Sequence, residues 1–379
     1  MAEEKTHTHT LTKTKKINPD IKIQQLFKVM IDNGSSDLHL SVGNEPSMRV
    51  HGEMVRIKVG VLGPEDTKRL VYPIIDEKQA DELEKNFELD FSFGIKGLSR
   101  FRANVFFSKG GLSAVFRSIP NLIPDFKSLG LPNVLLNMTD VSNGLILVTG
   151  PTGSGKSTTL ASLIDRLNTN ETGHIITLED PIEFVHNHKG CVVNQREIGS
   201  DTLSFAKGLK SLLRQDPDIV LVGELRDIET IEAALTVAET GHVVFATLHT
   251  NSCVQTINRI INVFPADQQD QIRTLLSFVL QGVVAQQLLP KSFSPGRCLA
   301  QEILIPTPAI RNLIREDKIH QIYSQMQVGQ DTTGMITMNQ SLFRSVSKGL
   351  IDNDTAMTHA TNPEELAQML GLSKKKGGF

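Results

Sequence analysis

Gly150-Pro151-Thr152-Gly153-Ser154-Gly155-Lys156-Ser157 matches the spacing G-x-x-x-x-G-K-[ST], directly after a short apolar run and at the start of a helical pattern. That context suits a phosphate chain. The glycines let the backbone wrap a phosphate with its N–H groups, and the N-terminus of the following helix adds positive potential. Lys156 can neutralise β/γ oxygens, Ser157 offers a hydroxyl to Mg²⁺, and Thr158 continues the first turn. Binding a nucleotide leaves hydrolysis open, which calls for carboxylates at the ends of neighbouring strands. The run 216–227 (DPDIVLVGELRD) ends an apolar segment in Gly223-Glu224, where Glu224 could serve the Mg²⁺ shell. The run 178–184 (LEDPIEF) sets Glu179, Asp180 and Glu183 after another apolar segment, and one of them could orient and deprotonate an attacking water. Acidic residues after strands also cap helices, so either run by itself leaves its role open. His242 and His249 bracket a third apolar segment. His249, at the C-terminal end, would lie on the ligand side of a parallel sheet and could sense a γ-phosphate; His242 would lie at the opposite end, and structural roles stay open for both.

The elements that must position these residues alternate. Short apolar runs at 145–149, 175–178, 219–222 and 243–247 read as buried parallel strands, with amphipathic helices at 203–213, 228–239 and 254–262 between them. This predicts an α/β domain over 133–365. Ahead of it, 21–119 reads as a small α+β domain: Ile23, Leu26, Phe27 and Met30 share a helical face, and 38–40, 47–51 and 100–106 read as strands. In the last of these Arg100 and Arg102 alternate onto one face, which would also suit an ordinary solvated surface. Residues 1–20 read as a flexible polar arm, 120–132 as a linker with Pro120, Pro124, Gly130 and Pro132, and 366–379 as a disordered Lys-rich tail.

The 379 residues carry 39 Lys+Arg against 42 Asp+Glu, a formal net charge of -3, no Trp and two Tyr, which gives no basic, aromatic-bearing channel for nucleic acid. The longest apolar candidate, 278–289, is interrupted by Gln281, Gln286 and Gln287 and is too short to span a membrane. The N-terminal residues lack the apolar core of a signal peptide, and three cysteines without CxxC spacing form neither a zinc knuckle nor a disulfide framework. A reducing cytoplasm is the expected compartment.

Taken together, the phosphate-loop motif at 150–157, the acidic box 179–183, the atypical second motif ending in Glu224 and the paired-histidine box 242–249 resemble the secretion ATPase family that drives type II secretion and type IV pili. The runs 36–40 (SDLHL), 88–93, 99–104, 115–120 and 309–316 (AIRNLIRE) resemble its pilus retraction branch, which also lacks a zinc knuckle. The resemblance implies a RecA-like P-loop core with a parallel-rich sheet, preceded by a small PAS-like α+β domain. It implies that ATP and Mg²⁺ are bound, that Glu183 is the catalytic carboxylate and Glu224 the Mg²⁺-associated acid, and that His242 and His249 sense the nucleotide state. Arg100, Arg102 and Arg117 would approach the phosphates as neighbouring subunits complete the site in a homohexamer. The implied motor works at the cytoplasmic face of the inner membrane, held there by its partners: a platform protein and an accessory retraction ATPase. The rivals are the accessory retraction paralogue, a pilus extension or type II secretion ATPase, a nucleic-acid translocase, and a nucleotide-gated scaffold without turnover. In 309–316, Ile310, Leu313 and Ile314 share one helical face and Arg311 and Arg315 another, so the arginines are expected to be free to couple hydrolysis to retraction.

Overall fold

The computed structural model describes residues 16–50, 52–119 and 122–372, which form two units, one up to residue 119 and one from residue 122. In the first, alternating side chains build six antiparallel strands: β1 Asp37–Leu40, β2 Ser47–Val50, β3 Glu53–Arg56, β4 Glu88–Ile95, β5 Ser99–Ser108 and β6 Gly111–Ile119. Their order is β3-β2-β1-β6-β5-β4. In β5, Phe101, Ala103 and Val105 are fully buried, which turns Arg100 and Arg102 to the other face. The buried face packs with the helix Ile23–Asp32, whose Phe27 stacks on Phe101 at a centroid distance of 4.3 Å and meets Phe116 edge-on at 5.0 Å.

Residues 1–15 of the expected arm lie outside the described residues, and from Lys16 onward the chain belongs to the fold. Ile17 is buried, and its N–H donates to the Val61 carbonyl at 3.2 Å. An apolar side chain that reaches a core ends the arm before residue 20. The expected linker is likewise partly core, since Phe126 and Leu131 are buried among the residues of the second unit. Leu366, assigned to the tail, is fully buried in the helix Pro363–Met369; residues 373–379 lie outside the described residues.

The second unit holds a seven-stranded sheet of β7 Gly144–Thr149, β8 His174–Glu179, β9 Val192–Glu197, β10 Ile219–Val222, β11 Val243–Leu248, β12 Leu280–Pro290 and β13 Arg297–Leu304. The order is β13-β12-β7-β11-β10-β8-β9, with every neighbouring pair parallel except β12 and β13. Strands β7, β10 and β11 are buried along their whole length, as strands covered on both faces must be. This mixed α/β sheet preceded by a small antiparallel domain is the architecture the sequence implied. A parallel sheet brings the C-terminal ends of β7, β8, β10 and β11 to one edge, and the loops leaving that edge carry the phosphate-loop motif, the acidic box, Glu224 and His249.

In the helix Pro308–Arg315, Ile310 and Ile314 are fully buried, but Arg311 does not project free of the protein as expected. Its guanidinium donates to the carbonyls of Ser277 (2.6 Å), Phe278 (2.9 Å) and Pro306 (3.1 Å) and to Gln281 Oε1 (3.1 Å). It thereby satisfies carbonyls at the C-terminal end of the helix Gln269–Val279, where a cation is favoured. Arg315 lies over the exposed Phe278 ring at 5.8 Å.

Candidate active site

After Thr149 the chain turns at Gly150, whose φ is 142°, and a Cβ there would sit 2.2 Å from the Gln286 carbonyl oxygen and 2.6 Å from Ser154 Oγ. Only glycine fits so close an approach. The turn delivers the chain into the helix Lys156–Asn170, with Lys156 as its first residue and nearly buried. Lys156 Nζ donates to the carbonyls of Gly150 (2.9 Å) and Pro151 (3.2 Å) and lies 3.5 Å from His249 Nδ1. On the far side of that ring, His249 Nε2 is 3.1 Å from Glu224 Oε1, and Arg226 Nη2 is 2.9 Å from Glu224 Oε2. His249 thus bridges the two, with Nε2 placed to donate to the Glu224 carboxylate and Nδ1 facing the Lys156 ammonium, an assignment made from the hydrogen-bond network.

This line of groups controls the charges. Burial pushes the Lys156 ammonium below its ordinary pKa, and the negative charges of Glu224 and Glu183 oppose that push without cancelling it. Burial pushes Glu224 up, but the hydrogen bond from Arg226 and the charges of His249 and Arg226 outweigh it and hold the carboxyl below its usual range. Glu224 is therefore a carboxylate at neutral pH, as a ligand or water-holder for a divalent cation must be. Glu179 is the opposite case. Its burial raises its pKa against the hydrogen bonds from Thr177, Gln195 and the Glu183 backbone.

These groups line one cleft of about 430 Å³, together with Thr152, Gly153, Gly155, Ser157, Thr158 and Glu183. Ser154 is buried behind the loop, and Gly150 and Pro151 contribute carbonyls to Lys156. The exposed Glu183 carboxylate and the Ser157 hydroxyl open on the same space, so the cleft can hold a polyphosphate between cationic, hydroxyl and carboxylate groups. His242 is not part of it. It lines a separate cleft of about 470 Å³ with residues at the N-terminal ends of β10 and β11, and its Nδ1 is 3.0 Å from the Val237 carbonyl. Arg100, Arg102 and Arg117 stand on the six-stranded sheet of the first unit. Arg102 is directly opposite Arg117, and Arg117 Nε donates to Asp37 Oδ1 at 2.9 Å. Arg100 Nη2 donates to Ser92 Oγ at 2.5 Å.

Leu288 and Arg297 also line the first cleft and escaped the sequence reading, as did the role of Gln286. Gln286 is 1% exposed; its Nε2 donates to the Ser154 carbonyl (2.9 Å) and its Oε1 accepts from Thr159 Oγ1 (3.1 Å), which ties β12 to the phosphate loop. The signal was visible as a glutamine breaking an otherwise apolar run.

The family model described as Type II/IV secretion system protein matches residues 12–357. The chain is 50% identical over 342 residues to the Type IV pilus retractation ATPase PilT of Pseudomonas aeruginosa, covering 90% of this chain and 99% of that protein. It is 39% identical over 355 residues to the Type IV pilus ATPase PilU of the same organism, covering 94% and 93%. Among solved structures, that of the pilus retraction motor PilT with bound ADP aligns with a TM-score of 0.87 at 51% identity, covering 92% of this chain and 100% of that one.

Proposed function

The chain belongs to the type II/IV secretion system protein family, and from that premise we propose that it is an ATPase motor that hydrolyses ATP to power type IV pilus retraction. One observation carries the reading: Lys156, His249 and Glu224 form a connected line across a cleft that Ser157 and Glu183 also enter. Similarity along nearly the whole chain is greater to the retraction ATPase, at 50%, than to the PilU relative, at 39%, which favours the retraction motor over its paralogue.

The roles follow from the chemistry of each group. Backbone N–H groups of 152–157 and the Lys156 ammonium hold the β/γ-phosphates of ATP. The Ser157 hydroxyl and the Glu224 carboxylate would hold Mg²⁺. Both Glu224 oxygens already accept from Arg226 and His249, so the fit is through water as much as by direct contact. When bound, Mg²⁺ supplies positive charge against the phosphate oxygens. Glu183, exposed in the cleft, takes the proton of the attacking water. His249, between Lys156 and Glu224, registers whether phosphate has displaced the lysine from its contacts. Arg100, Arg102 and Arg117 complete the site in a homohexamer, where His242 would read the nucleotide state across the ring. The motor acts on an inner-membrane platform protein at the cytoplasmic face, alongside an accessory retraction ATPase; among the described residues no helix is long and apolar enough to cross a membrane.

The test combines purified protein with cells. Lys156→Ala should lose productive nucleotide binding, whereas Glu183→Gln should keep binding and hydrolyse about 10²–10⁴-fold more slowly, as on loss of a general base. A strain lacking the protein should be piliated yet fail to twitch. Parental turnover by Glu183→Gln at saturating ATP would move the role to Glu179 or Glu224, and normal twitching without the protein would remove retraction as its function.

A further inference from the structure

Residues 180–191 belong to no helix or strand, yet they carry Glu183 into the cleft. A segment without a helix or sheet ladder must find other partners for its buried backbone groups. Asn168 serves the far part of the loop, at the Asn187 carbonyl (2.7 Å) and the Lys189 N–H (3.2 Å), and three other side chains serve the part around Glu183. Glu197 Oε2 accepts from the Ile182 N–H at 3.1 Å, and Glu179 Oε2 accepts from the Glu183 N–H at 3.4 Å. Gln195 does the rest with one amide. Its Oε1 accepts from the His186 N–H at 2.7 Å, while its Nε2 donates to the Phe184 carbonyl at 2.8 Å and to Glu179 Oε1 at 3.1 Å.

The sheet register explains why these residues can reach. Strand β9 runs parallel to β8 with Gln195 beside Thr177 and Glu197 beside Glu179, and the period of two puts Gln195 and Glu197 on one face of β9. The Gln195 amide thus grips the chain just beyond Glu183, at 184 and 186, and braces the carboxyl that bonds the Glu183 N–H itself. Both N–H groups and the carbonyl are used, so only an amide satisfies the arrangement: a glutamate lacks the two donors, a lysine lacks the acceptor, and an apolar residue lacks all three.

We infer that Gln195 is a positioning residue for hydrolysis, the clamp that holds the 180–186 loop so that Glu183 faces the attacking water. Gln195 is not among the residues that line the cleft, so it acts through Glu183. The inference therefore rests on the proposed role of Glu183 as general base, and its test keeps the two separable.

The full-length protein, Gln195→Met, Gln195→Glu, Glu183→Gln and the double variant Gln195→Met/Glu183→Gln are compared for ATP turnover, KM and thermal melting. Gln195→Met should lower kcat about 10-fold or more, the scale of a misplaced reacting group, with KM for ATP within about 2-fold because the phosphate loop is untouched. The double variant should be no slower than Glu183→Gln, since a clamp has nothing to position once the base is gone. Gln195→Glu keeps the size and the acceptor while losing both donors, and it carries the same test should the Met variant melt early. Parental kcat in a folded Gln195 variant would overturn the clamp, as would a double variant whose losses multiply or a loss appearing in KM alone. Parental turnover by Glu183→Gln with a slow Gln195→Met would refute the general-base role and, with it, the route by which Gln195 is said to act.

Discussion

His186 lies in the same loop as Glu183, outside any helix or strand. It is 7% exposed and lines the cleft, and burial lowers its pKa from 6.5 to about 4, with the Asp165 carboxylate 4.0 Å away opposing the shift too weakly to cancel it. The sign of the consequence is fixed. A base whose pKa is depressed by folding contributes its full stability above the unfolded value of 6.5 and loses it as pH falls toward about 4, because the unfolded state takes up the proton first. Relative to His186→Gln, which cannot titrate, the protein should lose on the order of 2 kcal/mol between pH 7 and pH 5. Urea unfolding of both proteins at the two pH values measures it, and parallel losses would show that His186 does not govern the acid limb. Of the residues named from motif spacing, Lys156, Ser157, Glu183, Glu224 and His249 all meet at one cleft. Spacing marks a site when the chemistry itself demands it. His242, chosen from the same box, sits at the other end of its strand because six residues of β11 separate the two histidines.

At the scale of elements, strands were legible wherever burial on both faces made them continuous apolar runs, as in β7, β10 and β11. Strand β12 was obscured by its glutamines, and β9 by being a polar edge strand; in each, one of the polar residues that blurred the pattern, Gln286 and Gln195, bonds the phosphate loop or the acidic box. Gln286 illustrates the cost of removing one. In Gln286→Leu the Ser154 carbonyl and the Thr159 hydroxyl lose a partner inside the protein, at about 1–3 kcal/mol. A phosphate loop loosened by that amount should raise the KM for ATP by about 10-fold, with kcat changing less, which steady-state kinetics would separate. Equal KM values would mean that the loop holds its shape without β12. The 309–316 helix was legible in its apolar face and misleading in its charged one, because a cation at a helix C-terminus and a cation free in solvent share the same spacing. Arg311→Ala removes donors to the Ser277 and Phe278 carbonyls and should destabilise the second unit by about 1–3 kcal/mol in a thermal melt. Arg315→Ala should leave stability nearly unchanged, so only the Arg315 variant can test coupling to retraction cleanly; equal melting temperatures for the two would contradict this division.

For the whole molecule, the two units are built on different logic, an antiparallel sheet with one face exposed and a mostly parallel sheet whose central strands are covered on both faces. The exposed face of the first carries Arg102 directly opposite Arg117, an arrangement of like charges that costs stability unless an anion is near. Asp37 supplies one carboxylate, and it is engaged by Arg117 at 2.9 Å, while Arg102 is exposed. A guanidinium left in that position is suited to a second anion, which under the proposed ring is a nucleotide phosphate held by another copy of the chain. Arg102→Ala should then depress hydrolysis without altering the melting of the unit that carries Lys156. The decisive measurement mixes Arg102→Ala protein with Glu183→Gln protein, each nearly inactive alone. If arginine and carboxylate come from different subunits, random mixing at equal amounts builds about a quarter of the sites from an intact arginine and an intact glutamate, and turnover should recover toward that fraction. If both come from one chain, every site keeps one of the two defects and no recovery occurs. Subunit exchange is followed separately by energy transfer between differently labelled proteins, so that flat activity with complete exchange would rule out completion of the site between subunits.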